Sequence, residues 1–140
     1  MEKGINENYF DFEIVPSQVS PLSLAYIGDA VYEVYIRSYI MRSDNMPVAK
    51  LHKAATRYVS AKAQAKIVKS IMDDFTPEEL LQYKRGRNAH SYTSAKNADI
   101  VDYRMATGFE ALLGYLYIKK DTNRIEEIVK KSIDVINSEQ

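Results

Sequence analysis

The chain has 140 residues, an apolar fraction of 46% and equal numbers of basic and acidic side chains, which describes one globular domain and excludes a largely disordered chain. The absence of cysteine excludes disulfides, cysteine-ligated zinc and thiol nucleophiles. The polar N-terminus lacks the apolar core of a signal peptide, and no apolar run approaches the roughly 18 residues of a membrane span, so we expect a cytoplasmic protein.

The neutral net charge conceals a segregated distribution of charged residues. Residues 1–20 carry four acids and one base, whereas residues 45–72 carry six bases and no acid. Residues 80–98 carry four more bases, again without an acid. Separate blocks of this kind can form a strongly positive face although the total charge is zero. The composition therefore does not exclude a nucleic-acid partner.

Residues 1–19 form an N-terminal arm without a clear periodic pattern, and we expect one domain over residues 20–140. Ser20 followed by Pro21 is a typical helix start, in which a capping side chain precedes a proline at the first helical position. Apolar residues then recur at spacings of three and four. This periodicity predicts one helix over residues 21–41.

The middle of the chain contains further helix starts. Pro47 opens a helical segment, and Ser60 is a candidate N-cap for the alanine- and lysine-rich run that follows it. Thr76, Pro77 and Glu79 form a capping box, in which the threonine caps the helix and the glutamate reaches back to the cap. The pattern thus predicts helices on both sides of residue 75.

The C-terminal half of the chain is predicted to contain a loop and two helices. Residues 86–98 are rich in glycine, asparagine and serine, which is typical of a loop. The apolar periodicity predicts a long helix over residues 98–119 and an amphipathic one over residues 123–137. No segment has the pattern of a strand and no repeat is present, so the predicted fold class is all-α.

Two acidic residues occupy unusual positions in these helices. Asp29 lies in the middle of a helix that is apolar nearly all round, and Glu110 lies in a similar helix near the C-terminus. Neither acid has a basic residue three or four positions away. Because burial of an unpaired carboxylate costs several kcal/mol, two acids on facing helices suggest a shared cation. Oxygen ligands without cysteine or a histidine cluster favour a hard ion, Mg²⁺ or Mn²⁺.

A structural alternative remains open for these two acids. Each carboxylate could lie at a helix edge and pair with a lysine or tyrosine from elsewhere in the chain. The neighbouring glycines, Gly28, Gly108 and Gly114, favour the metal site because they allow two helix backbones to approach closely. The periodicity of the residues does not decide between the two interpretations.

Two sequence blocks resemble the ribonuclease III family. Residues 24–31, LAYIGDAV, resemble the family signature of leucine, glutamate, aromatic, aliphatic, glycine, aspartate, alanine and valine, and residues 109–114, FEALLG, resemble its second block. The likeness extends over about residues 20–120. Because the chain leaves no room for a double-stranded-RNA-binding domain, the likeness is to the Mini-ribonuclease III branch of the family.

The chain departs from the family pattern at two positions. Ala25 stands where the family usually has glutamate, and Thr107 stands where it usually has aspartate. Asp29 and Glu110 keep the remaining carboxylates of the pattern, so the number of bound metal ions is open. Glu33, one turn beyond Asp29, could assist the site, although a solvated or structural role is the better interpretation.

The resemblance implies a metal-dependent endoribonuclease that hydrolyses phosphodiester bonds of double-stranded RNA. Asp29 and Glu110 would be its catalytic and metal-binding residues, with Mg²⁺ as the cofactor and Mn²⁺ as a substitute. The ion would activate a water that attacks in line while the 3′ oxygen leaves. This chemistry needs no histidine, so His52 and His90 are not expected to be catalytic.

The resemblance also implies partners. The expected substrate is the precursor of large-subunit (23S) ribosomal RNA or its ribonucleoprotein, and the expected assembly is a homodimer in which each subunit cuts one strand. Part of the apolar surface of helix 21–41 would then form the dimer interface. Its tyrosines could serve that interface or ordinary core packing, and the sequence does not separate the two: Tyr26, Tyr32, Tyr35 and Tyr39.

Double-stranded RNA is recognised by its shape, through phosphates and 2′-hydroxyl groups, so basic and small polar residues are the candidates for contact. A stripe of lysines on the helix after Ser60 could equally be an ordinary solvated face. We predict RNA contacts from Lys62, Lys66, Lys84, Arg85, Arg87, Asn88, His90, Ser91, Thr93 and Lys96.

The main alternative function is that of a catalytically inactive ribonuclease III-like dimer that binds RNA or the ribosome. Ala25 and Thr107 keep this alternative open, because two carboxylates of the family pattern are missing there. Asp29 and Glu110 argue against it, since an inactive site has no reason to keep two costly acids in apolar helices. A helical scaffold without an RNA role is disfavoured by the two acid-free basic blocks.

Overall fold

The computed structural model describes residues 8–42, 45–89 and 99–139. These residues contain no strand, which confirms the all-α fold class. Two short 3-10 turns, Pro16–Gln18 and Met72–Asp74, accompany the α-helices. In chain order the α-helices of the described ranges are α1 (Pro21–Met41), α2 (Val48–Val59), α3 (Ala61–Ile71), α4 (Pro77–Arg87), α5 (Asp99–Ile118) and α6 (Thr122–Asn137).

The helix starts predicted from the sequence are confirmed. Ser20 and Ser60 each accept a hydrogen bond from the backbone N–H three residues later. Thr76 and Glu79 form both hydrogen bonds of a capping box at the start of α4. Pro47 is the N-cap residue of α2. Each polar cap satisfies N–H groups that the helix leaves without a partner, which stabilises a helix by about 1 kcal/mol.

Helix α5 lies at the centre of the bundle and packs against α1, α3, α4 and α6. All residues from 111 to 116 are buried, which is why this helix reads as apolar nearly all round. Phe109 of α5 meets the ring of Tyr32 edge to face, with 5.2 Å between the ring centres. The Tyr32 hydroxyl donates to the carbonyl of Tyr58, at 2.9 Å, and so ties α1 to α2.

Helices α1 and α5 form the most extensive helix pair, and glycines set their separation. A Cβ atom on Gly28 would overlap the backbone carbonyl of Glu110, and a Cβ atom on Gly114 would overlap the carbonyl of Leu24. The two backbones are therefore in contact where they cross. This close approach is the one that the glycines in the sequence predicted, and it places position 29 beside position 110.

The described part of the N-terminal arm, residues 8–19, is bonded to α4 and to the residues that follow α5. The guanidinium of Arg85 donates to the carbonyls of Ser17 and Val19, both at 3.1 Å. Asp11 forms an exposed ion pair with Lys120, at 3.3 Å. Residues 8–19 contain a 3-10 turn but no α-helix. No helix in the described ranges is long and apolar enough to cross a membrane.

The predicted loop over residues 86–98 lies only partly within the described residues. Helix α4 continues to Arg87, one residue beyond Gly86, where we expected it to end. Gly86 does not break the helix because it lies against α5, where a Cβ atom would come within 2.5 Å of the Ala111 side chain. Residues 90–98 are outside the described ranges.

Candidate active site

The crossing of α1 and α5 brings the carboxyl groups of Asp29 and Glu110 together. Burial raises the pKa of Glu110 to about 8, and repulsion by the charge of Asp29 and a hydrogen bond between the two carboxyl groups act in the same direction. A hydrogen bond from Gln64 acts against this rise. Two carboxylates in one site resist simultaneous ionisation unless a positive charge lies between them. The pair is therefore suited to a cation.

The two acids differ in their exposure to solvent. Glu110 is half-buried between helices, whereas Asp29 is exposed on the surface of α1. The sequence suggested similar apolar surroundings for both. Asp29 is exposed because its neighbours Tyr26 and Ala30 are themselves on the surface, so part of the apolar character of α1 belongs to an outer face. The site is consequently open to a large ligand from the side of α1.

Neither acid forms a salt bridge within the described residues. The alternative of an acid that pairs with a lysine thus finds no support there. Glu33, one turn from Asp29, pairs with Arg37 of the same helix at 3.0 Å, and its charge contributes only the smallest part of the rise in the pKa of Glu110. Glu33 is therefore a structural neighbour of the pair.

The two departures from the family pattern have ordinary structural surroundings. Ala25 is buried in the core, and the hydroxyl of Thr107 donates to the carbonyl of Tyr103 at 3.0 Å.

Among the described residues no three histidine, aspartate or glutamate side chains lie close enough to hold an ion. Mg²⁺ is commonly held by one or two carboxylates, with waters and substrate phosphates as its other ligands. Asp29 and Glu110 fit this kind of site.

A third polar side chain, not predicted from the sequence, reaches the pair from α3. Gln64 is 1% exposed, and its Nε2 donates to Oε2 of Glu110 at 3.2 Å and to the carbonyl of Val59 at 3.0 Å. A signal was present, because Gln64 lies three, four and seven residues before apolar residues of α3 and so shares their buried face. Helix α3 thus contributes a polar group to the site.

Three of the lysines predicted to contact RNA are exposed. Lys62 and Lys66 are on α3, the helix that carries Gln64, and Lys84 is near the end of α4. Both helices pack against α5. Lys66 makes an exposed ion pair with Glu139 at 3.3 Å, a kind of contact worth little to stability. The three ammonium groups are therefore accessible to a polyanion.

The arginines of α4 are engaged within the protein. Besides its two bonds to the N-terminal arm, Arg85 donates to Oε1 of Gln82 at 2.7 Å. Arg87 lies over the ring of Tyr83, 5.6 Å from its centre, and donates to the side chain of Asn88 at 3.2 Å. The remaining predicted RNA contacts lie outside the described residues: His90, Ser91, Thr93 and Lys96.

The four tyrosines of α1 divide between the core and the surface. Tyr32 is fully buried, whereas Tyr26 is 83% exposed. Tyr35 and Tyr39 are partly buried and bond to α6, Tyr35 by donating to Glu126 and Tyr39 by accepting from Asn137. Core packing therefore accounts for Tyr32, and Tyr26 is the tyrosine that is free to meet a partner.

The helical fold and the paired acids at the α1–α5 crossing define the class of protein. The sequence profile of the ribonuclease III domain matches residues 22–121. The chain belongs to the ribonuclease III family, whose members are endoribonucleases that act on double-stranded RNA with a divalent metal ion. The resemblance noted in the two sequence blocks is thereby confirmed.

Within this family the chain is similar to proteins called Mini-ribonuclease 3. It is 51% identical to the Mini-ribonuclease 3 of Clostridium tetani over 119 residues. These residues cover 84% of this chain and 79% of the relative. It is 50% identical over 114 residues to that of Enterococcus faecalis, which covers 80% of this chain and 86% of the relative. A crystal structure of a protein from Fusobacterium nucleatum superposes with a TM-score of 0.76 at 32% identity, over 84% of this chain and 95% of that one.

Proposed function

We propose that this protein is a Mg²⁺-dependent endoribonuclease that cuts double-stranded RNA. The observation that carries the proposal is the juxtaposition of Asp29 and Glu110 at the crossing of α1 and α5, where the charge of Asp29 acts on the Glu110 carboxyl group. Such a pair is costly to the fold without a counter-charge. A function that requires a bound cation accounts for its presence.

The residues of the chain have distinct tasks in this proposal. Asp29 and Glu110 would hold Mg²⁺, which Mn²⁺ could replace. The ion, when bound, supplies charge neutralisation at the scissile phosphate and an acidified water. Because Asp29 is exposed, the pair is open to a duplex at the edge of α1 that carries Asp29. Because its pKa is raised, Glu110 would have to lose a proton in order to serve as a ligand.

The RNA would be held mainly through its phosphates. Lys62, Lys66 and Lys84 are exposed, and lysine–phosphate contacts give a salt-dependent affinity with little sequence preference. Arg85 differs from these lysines, because its guanidinium bonds to the carbonyls of Ser17 and Val19. We propose that Arg85 acts on RNA indirectly, by fixing the arm beside the last turn of α4.

The proposed biological substrate is the precursor of 23S ribosomal RNA, free or in a ribonucleoprotein, processed in the cytoplasm. The similarity to the Mini-ribonuclease III branch supports this assignment. Maturation of such a precursor in vitro, with purified protein and a transcript that contains its terminal stem, would test it. Cleavage of unrelated duplexes at equal rates would argue against a dedicated ribosomal substrate.

We further propose that the active form is a homodimer that uses the outer face of α1. Tyr26 and Val34 are 83% and 62% exposed on α1, and Val34 lines a hollow of about 300 Å³ together with Ile27 and Tyr117. Exposed apolar surface of this kind is typical of an interface. Sedimentation analysis of Val34→Glu should give a monomer where the unmodified chain gives a dimer, and a monomeric unmodified chain would contradict the proposal.

The nuclease assignment is tested by cleavage of a labelled RNA duplex in the presence of Mg²⁺. Asp29→Asn and Glu110→Gln should bind the duplex but not cut it, because each variant keeps its shape and loses a charged ligand. Asp134→Asn is the matched control, since Asp134 is an exposed acid on α6, and it should cut like the unmodified protein.

The same experiment distinguishes the alternative function. If the unmodified protein binds the duplex without cutting it, with Mg²⁺ or Mn²⁺ and with a ribosomal RNA precursor, the protein is an inactive RNA-binding module. The absence of carboxylates at Ala25 and Thr107 is the observation that favours this alternative. Retained cutting by Asp29→Asn or Glu110→Gln would instead remove the paired acids from the mechanism.

A further inference from the structure

Gln64 is a buried polar residue whose side chain donates two hydrogen bonds and accepts none. Its side-chain nitrogen donates to Glu110 and to the carbonyl of Val59. Its side-chain oxygen, in contrast, is buried without a hydrogen-bond partner. An unpartnered buried acceptor destabilises a fold. An apolar residue of similar size would avoid this cost, so packing alone does not explain a glutamine at this position.

The orientation of the Gln64 amide is fixed by the groups around it. Both of its contacts, the carbonyl of Val59 and Oε2 of Glu110, are hydrogen-bond acceptors. Rotation of the amide by half a turn would place its oxygen against the Val59 carbonyl oxygen, which is repulsive whatever the protonation state of Glu110. The NH₂ group therefore faces the Val59 carbonyl and the Glu110 carboxyl group.

The second acceptor of the Gln64 amide, the carbonyl of Val59, lies at a packed junction between two helices. Val59 is the last residue of α2, and Ser60 follows it as the N-cap of α3. The preceding carbonyl, that of Tyr58, is held by the buried hydroxyl of Tyr32. The junction of α2 and α3 thus fixes the position of the Gln64 side chain. Gln64 in turn restricts the position of the Glu110 carboxyl group, to which it also donates.

We propose that Gln64 is a positioning residue, which holds the Glu110 carboxylate in the orientation that binds the divalent ion. The inference rests on the proposed function. A donor on Oε2 restricts the rotation of the carboxylate and leaves the other oxygen available as a ligand. Groups that orient metal ligands typically affect ion affinity strongly.

The experiment compares Gln64→Met with Gln82→Met. Gln82 is a matched control because it is equally buried, at 1% exposure, and its Nε2 also donates to a glutamate, Glu78, at 3.0 Å. Binding of Mn²⁺ is measured without RNA by electron paramagnetic resonance, and duplex cleavage is measured against Mg²⁺ concentration. Gln64→Met should raise both half-saturating concentrations by about 10- to 100-fold, whereas Gln82→Met should leave Mn²⁺ binding unchanged.

The outcomes separate this inference from the proposed function. If the unmodified protein cuts RNA and Gln64→Met binds Mn²⁺ like it, Gln64 serves only the fold and the inference is overturned. An equal loss of Mn²⁺ binding in Gln82→Met would overturn it as well. If the unmodified protein neither binds Mn²⁺ nor cuts RNA, the proposed function fails and the inference fails with it.

A second measurement uses the unmodified protein, in case Gln64→Met does not fold. The chain has four glutamines, so side-chain amide signals of ¹⁵N-glutamine-labelled protein are few. Gln82→Met identifies one of the two glutamines that are buried within the described ranges. The Gln64 signal should shift on addition of Mg²⁺ and the Gln82 signal should not. An unmoved Gln64 signal at Mg²⁺ concentrations that support cleavage would overturn the inference.

Discussion

Gly28 and Glu110 are in direct contact through their backbones, because a Cβ atom on Gly28 would overlap the carbonyl oxygen of Glu110. The residue next to Gly28 is Asp29, so the contact that sets the spacing of α1 and α5 also sets the spacing of the two acids. The absence of a side chain at position 28 is therefore a condition for the site as well as for the fold.

Gly28→Ala should destabilise the protein and impair metal binding together. Overpacking of a core typically costs about 1–3 kcal/mol, and more where the obstacle is backbone, because a helix rather than a side chain must move. Thermal unfolding in chelator and Mn²⁺ titration would measure the two effects. Ser38→Ala, at an exposed position of the same helix, should change stability by less than about 0.5 kcal/mol. A folded Gly28→Ala protein with normal Mn²⁺ binding would contradict this account of the spacing.

Without metal, the stability of the protein should fall as the pH rises from about 4.5 to about 8. The pKa of Glu110 is raised from 4.5 to about 8 by burial first and by Asp29 second. The folded protein therefore holds a proton on Glu110 that the unfolded chain has already lost, and the free energy of unfolding decreases with pH across this interval.

Glu110→Gln removes this dependence, because an amide does not titrate. In EDTA, the free energy of unfolding can be measured with urea at pH 5 and at pH 8. From pH 5 to pH 8 it should fall by about 1–3 kcal/mol more in the unmodified protein than in the variant. Mg²⁺ at pH 8 should stabilise the unmodified protein and not the variant. Parallel pH profiles of the two proteins would show that Glu110 ionises in the folded protein much as it does in the unfolded chain.

Arg124, which is partly buried, and Glu79, which is buried, form an ion pair that joins α6 to α4, with N–O distances of 2.8 and 2.9 Å. Arg124 also donates to the carbonyl of Asp74 at 2.9 Å. Arg124→Leu should cost about 3–5 kcal/mol, because it leaves the Glu79 carboxylate buried without its partner. Lys131→Ala breaks an exposed pair with Asp74 and should cost less than about 1 kcal/mol.

The pH dependence of the Arg124→Leu effect follows from the pKa of Glu79. Burial alone would raise this pKa, but the hydrogen bonds from Arg124 and from the N–H of Thr76, with the charge of Arg124, outweigh it and lower the pKa. The stability from the pair is present above the usual pKa of glutamate and is lost as the pH falls through the lowered value. The free energies of unfolding of the unmodified protein and of Arg124→Leu, measured with urea, should therefore differ less at acidic pH. A difference that does not change with pH would contradict the lowered pKa of Glu79.

The features predicted correctly from the sequence are those whose causes are local. Ser20 and Thr76 cap helices by bonding to residues three positions away, and such patterns are complete within a few residues. The proximity of Asp29 and Glu110 was also predicted, because unpaired acids in apolar helices are rare, although Asp29 proves to be exposed. Their role as metal ligands stays a prediction.

The features missed depend on how distant segments pack. Gln64 shares a face with apolar residues of α3, but its contact with Glu110 exists only because α3 lies against α5. The bonds from Arg85 to the carbonyls of Ser17 and Val19 were not predicted either. Neither contact is encoded in a local pattern, since each joins residues far apart in the chain.

Lys120 offers a site at which the protein can be stabilised. Its φ of 68° makes it the one non-glycine residue with positive φ in the described ranges, and it follows α5 in a turn closed by the bond from the N–H of Asp121 to the carbonyl of Leu116, at 2.9 Å. Glycine is favoured at this position of a helix terminus, because a side chain in the left-handed region costs about 1–2 kcal/mol.

Lys120→Gly should raise the free energy of unfolding by about 0.5–1 kcal/mol, since part of the gain is offset by the greater freedom of glycine in the unfolded chain and by loss of the exposed ion pair with Asp11. Asp11→Asn measures the contribution of that pair separately. Lys119→Gly, at the neighbouring residue without positive φ, should destabilise the protein instead. If both glycine variants lower the unfolding temperature, the backbone at Lys120 carries no strain for glycine to relieve.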